Sequence, residues 1–82
     1  MSKESKKGYY RDDIFLKALG ENIRRIRLEN GLTQTELAFK CDDKDYSQIN
    51  RVELGKVNFS VSHLYLIAQA LQVKVKEIMP DM

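Results

Sequence analysis

The chain has 82 residues, 43% of them hydrophobic, which suits one small domain and excludes a chain disordered throughout. Its one cysteine, Cys41, excludes an intrachain disulfide framework and fits a reducing compartment. A formal net charge of +2 is too small to announce a polyanionic partner by itself, so the distribution of charge must carry any such argument.

Residues 1–12 are polar, carry Lys3, Lys6 and Lys7 and lack periodicity, so they read as a flexible N-terminal arm. Lysines in such a segment are most simply solvated charges. No apolar stretch follows them to make a secretory signal, and no later run approaches the roughly 20 residues of a membrane span. A soluble, cytoplasmic protein is the expectation, with one domain over 13–80.

Leu16, Leu19, Ile23 and Ile26 recur at three and four, which predicts an amphipathic helix over 13–30. Asp12 or Asp13 starts it and Asn30-Gly31 ends it. Gly20 is a weak point where the helix is expected to bend or to begin. Thr33-Gln34-Thr35-Glu36 forms a capping box, in which hydroxyl and carboxylate each satisfy a backbone N–H. The short helix it opens turns Leu37 and Ala38 inward. Asp45 caps a third helix, with Gln48 in the reciprocal position, and Gly55 closes it in the left-handed conformation. Ser60 caps a fourth helix with Val61, Leu64, Ala68 and Leu71 inward, and a last turn over 74–79 stops at Pro80. VKV at 73–75 is too short to pair as a strand. The fold class is all-α, a compact bundle of about five helices. Short capped helices joined by a tight turn also suggest a helix-turn-helix, although generic bundles contain short helices too.

LGENIRRIRLENGLTQTELAFK, then INRVELGKVN, then LIAQALQV resemble, in order and spacing, the Cro/C1-type (phage repressor-like, XRE) helix-turn-helix family. That family includes restriction–modification controller proteins, and the resemblance runs from Leu19 to Met79, about three quarters of the chain. It implies a lambda-repressor-like bundle in which the helix opening at Asp45 enters the DNA major groove. Tyr46, Ser47, Asn50 and Arg51 are then the base-contacting residues, with Ile49 and Val52 anchoring the helix from behind. Arg51 leads this group because a guanidinium gives guanine O6 and N7 two parallel hydrogen bonds. Tyr46 has a second reading, as a partly buried ring covering the turn. The resemblance assigns phosphate contacts to Gln34, Lys44, Lys56 and Asn58, and a structural ion pair to Arg27 and Glu53. The chain departs from the family pattern in its turn, CDDKD, which lacks the usual glycine and is one residue longer. Leu54 stands where a polar residue is usual, Phe59 replaces a common proline and Gln72 a common glycine.

Nothing in the sequence assembles an enzyme. His63 is the one histidine and has no cysteine cluster to join as a metal ligand, and no serine has a plausible base beside it. Cys41 reads as a small half-buried hydrophobe whose acidic neighbours oppose thiolate formation. No cofactor, metal or separate small-molecule effector domain is expected. Leu66, Ile78 and Met79 are candidates for an exposed apolar patch serving as a dimer interface; packing of Leu66 beneath the arm is the alternative. One helix reads too few base pairs to find a genomic site, whereas a two-fold dimer reads both halves of a pseudo-palindrome. The expected function is therefore a homodimeric, sequence-specific regulator of transcription bound to double-stranded DNA. The competing class is a protein-interaction or antitoxin-like module with the same fold and little specific DNA binding.

Overall fold

Five helices follow one another in the computed structural model, which describes residues 11–42 and 45–81: α1 (Asp13–Glu29), α2 (Gln34–Lys40), α3 (Ser47–Glu53), α4 (Val61–Leu71) and α5 (Val75–Ile78). Residues 1–10 of the expected arm, and Lys44 of the expected phosphate contacts, lie outside the described residues. Local chemistry sets most boundaries. Asp12 accepts from the backbone N–H of Phe15 at 3.0 Å and starts α1. Thr33 and Glu36 make the reciprocal bonds of a capping box, at 3.0 and 2.8 Å, ahead of α2. Ser60 accepts from the N–H of His63 at 3.1 Å and starts α4.

Two ends are closed from a distance. The Asn30 side-chain amide donates to the carbonyl of Leu71 at 2.9 Å, and Asn22 donates to the carbonyl of Ile78 at 2.7 Å. A helix C-terminus leaves such carbonyls without intrahelical donors, so α1 supplies one to α5 and its C-cap Asn30 supplies one to α4.

The core is built from Leu19, Ile23 and Ile26 of α1, Leu37 and Ala38 of α2, Ile49 and Val52 of α3, Ile67, Ala68 and Leu71 of α4, and Ile78 of α5, joined by Cys41. Burying a side chain of the Val, Leu or Ile class contributes about 1.5–3 kcal/mol. The exposed ion pairs Arg11–Asp13 and Arg25–Glu29 contribute about 0–1 kcal/mol each, so packing sets the fold.

Four expectations need correction. Helix α1 runs unbroken through Gly20, which is a contact point: a Cβ there would collide with the backbone carbonyls of Val52 and Glu53. Val61, expected inward, is 82% exposed because it opens α4 beyond the edge of the core, and Ile67 is the buried residue that the reading lacked. Cys41 is fully rather than half buried. Ile78, expected in a surface patch, is completely buried and belongs to the core. No described helix is long and apolar enough to cross a membrane.

Candidate nucleic-acid interface

Helix α3 presents its outer face because its inner face is fully used. Ile49 and Val52 are buried against α1 and α2, which leaves positions 46, 47, 50 and 51 on the other side. Tyr46 is 53% exposed, which leaves roughly half of the residue open to a partner on this face. Arg51 is exposed, and Ser47 and Asn50 are half-buried. Lys56 and Asn58 follow in the loop beyond Gly55 and are both exposed. Gly55 has φ +74 and packs against the backbone of Lys17, so the chain leaves α3 sharply and brings the loop beside α1.

The entrance to α3 differs from the expected capping box. Asp45 accepts from the N–H of Ser47 at 3.0 Å, two residues on, rather than three as a box with Gln48 requires. The backbone and side-chain hydrogen bonds from Ser47, and then the Arg51 charge, hold the Asp45 carboxyl below the usual aspartate range despite a small opposing desolvation. In the preceding turn Asp42 takes a left-handed φ of 61°, the conformation that the family's glycine would supply.

Behind the stripe, Arg27 and Glu53 form the expected ion pair, with both side chains buried and bonds of 2.6 Å from Nε and 3.0 Å from Nη2. Arg27 Nη1 also donates to the carbonyl of Leu32 at 2.8 Å, and no buried side-chain polar atom among the described residues lacks a partner. The pair ties α1 to α3 without large net stabilisation, because desolvation offsets attraction.

Gln34 is placed differently from expectation. Its Nε2 donates to Glu53 Oε1 at 3.0 Å and to Asn50 Oδ1 at 3.1 Å. Both amide hydrogens are thus used inside the domain. The remaining side-chain oxygen accepts, as a phosphate does, so the expected phosphate contact through this side chain is not what the geometry supports. The structure joins Gln34 instead to Asn50, Glu53 and Arg27.

Sequence reading passed over Lys17 and Arg24. They line a cleft with Glu21, Glu53, Leu54 and Lys56 at the flank of α3. Their spacing of seven on α1 places both on one face, and that was the available signal. Away from this surface, Leu66 is 37% and Met79 39% exposed, while Tyr65 beside them is 57% exposed. His63 stacks edge-on against Phe59, with ring centroids 5.6 Å apart.

Comparison with known proteins adds an independent finding. The helix-turn-helix family model HTH_3 matches residues 23–78. A protein described as the uncharacterized HTH-type transcriptional regulator y4dJ of Sinorhizobium fredii is 39% identical over 64 residues, covering 76% of this chain and 79% of that one. Among solved structures, the restriction-modification controller protein C.AhdI of Aeromonas hydrophila superposes with a TM-score of 0.74 at 33% identity, covering 78% of this chain and 96% of that one. The DNA-binding domain of BldD superposes with a TM-score of 0.77 at 25% identity, covering 85% of this chain and all 100% of that domain.

Proposed function

The chain belongs to the HTH_3, Cro/C1-type helix-turn-helix family of transcriptional regulators, and on that premise we propose that it acts as a homodimer, each copy reading one half of a pseudo-palindromic operator. Residues 13–80 form the DNA-binding domain in this reading, and the site of action is the cytoplasm. The carrying observation is the outer face of α3, where the exposed Arg51 lies beside Tyr46, Ser47 and Asn50 over the buried anchors Ile49 and Val52. Arg51 takes guanine, and Tyr46 and Ser47 contact neighbouring positions. Lys56 and Asn58 hold phosphates, joined by Lys17 and Arg24 from the flank. The activity is binding, so regulation follows protein concentration or a partner.

Selection of bound sequences from a random duplex pool at physiological salt tests this reading, with Arg51→Ala in parallel. An enriched inverted repeat, blurred at one base pair per half-site by the substitution, is the expected result. Asp42 and Asp45, both exposed beside α3, favour a second reading in which the fold holds a protein. Salt separates the two. Contacts with several phosphates make log K fall by about 0.9 per phosphate for each unit of log salt, whereas an interaction module shows weak binding without sequence preference.

A further inference from the structure

The buried ion pair reaches the outer surface of α3 through two side chains, and each step of that path has a fixed polarity. Glu53, paired with the Arg27 guanidinium, offers oxygens that only accept. Gln34 lies 3.0 Å from Glu53 Oε1, so it must turn its NH2 rather than its carbonyl toward that carboxylate. The same NH2 lies 3.1 Å from the side chain of Asn50 and has a second hydrogen to give, so Asn50 must meet it with its carbonyl oxygen. A carboxamide whose oxygen is engaged inside the domain has its NH2 left to give to an outside partner.

We propose that Gln34 is a positioning residue that locks Asn50 as a hydrogen-bond donor, and that Asn50 therefore prefers a base edge of acceptors, guanine before thymine, over adenine, which keeps only its N7 as an acceptor for that donor. The inference rests on the reading of α3 as the base-reading helix and deepens it. An unrestrained asparagine pairs with adenine through both ends of its amide, giving a hydrogen to N7 and taking one from N6. Asn50 has one of those ends bound inside the domain. Guanine shows O6 and N7, both acceptors, and thymine shows O4. A distant buried charge thus determines which bases a surface amide can read.

The experiment applies the duplex-pool selection to the full chain and to Asn50→Ala, Gln34→Met and Asn50→Asp, each checked by thermal melt. The position that loses its preference in Asn50→Ala marks the base pair concerned. The native protein is expected to enrich guanine there and to deplete adenine. Gln34→Met, which frees the Asn50 amide to rotate, is expected to raise adenine at that position about tenfold relative to guanine and to leave other positions unchanged. Asn50→Asp keeps the inward oxygen, reverses the outward polarity and is expected to move the preference to cytosine, which supports the proposal even if Gln34→Met does not fold. A purely structural Gln34 would lower affinity evenly and leave every preference intact, and that result overturns the proposal. So does adenine as the native choice. In the free protein, NMR scalar coupling across the hydrogen bond from the Gln34 amide to the Asn50 carbonyl checks the lock without DNA. Its absence overturns the lock itself. If it is present and no duplex is enriched, the base-reading role fails together with the regulatory reading while the geometry stands.

Discussion

Gln72 and Asp42 hold left-handed backbone angles, φ 62° and 61°, at places where a glycine would sit without strain. At Gln72 the end of α4 is otherwise well made, with the Val73 N–H bonded to the carbonyl of Ala68 at 3.0 Å. Holding an L-residue in that conformation costs about 1–2 kcal/mol, partly offset by the greater freedom glycine has in the unfolded chain. Gln72→Gly is therefore expected to stabilise the domain by about 1 kcal/mol, a rise of about 4–8 °C in melting temperature, with DNA affinity unchanged. Asp45 makes a prediction in pH. Its carboxyl is held below the ordinary value by Ser47, so the bond is fully present above the unfolded pKa and is lost as pH falls through the folded one. The Ser47 amide should lose its protection against hydrogen exchange, relative to its intrinsic rate, only as pH falls below the ordinary aspartate range, and Asp45→Asn should flatten that dependence; an unchanged profile would refute the assignment. Both positions were visible as departures in the sequence. Their backbone angles were not, because a sequence shows that a glycine is missing and not whether its conformation persists.

Single elements were legible wherever the signal was local. The caps at Asp12, Thr33–Glu36 and Ser60 span three residues of sequence, and each formed as read. Phase failed in short or marginal segments. Helix α5 has four residues, too few for a periodicity to separate Ile78 from Met79, and α4 begins before the core does. Contacts between elements were the least legible. The resemblance supplied Arg27–Glu53, but nothing in the spacing of Gln34 and Asn50 announces their bond, which exists only once α2 and α3 dock. The docking itself gives two predictions. Arg27→Met alone should cost about 3–5 kcal/mol by stranding the buried Glu53 charge, while Arg27→Met with Glu53→Leu should recover most of it; urea unfolding of both variants measures the difference. Gly20→Ala should cost about 1–3 kcal/mol through overpacking and lower DNA affinity more than any surface alanine on α1, since it displaces the carbonyls that end α3, the proposed reading helix.

At the scale of the whole molecule the fold class and helix order were readable, and one residue expected at a dimer face proved to belong to the core. The proposed dimer face keeps Leu66 and Met79, with Tyr65 added, and loses Ile78 to the core. The two classes of residue behave differently under charge insertion. Leu66→Glu should leave the melting temperature within a few degrees and halve the solution mass measured by sedimentation, whereas Ile78→Glu should unfold the chain. An unchanged mass for Leu66→Glu at micromolar concentration would move the interface elsewhere.

Asn22 of α1 and its C-cap Asn30 carry a consequence for the proposed operator. Helix α1 touches α3 at Gly20, and through Asn22 and its C-cap Asn30 it holds the ends of α5 and α4, so the proposed reading head and the proposed dimer face are bolted to one beam. Such a dimer is a caliper with a fixed gap rather than a pair of hands on a tether. One extra base pair between the half-sites turns the second half-site by roughly a tenth of a helical turn, and a rigid caliper should then grip only one side.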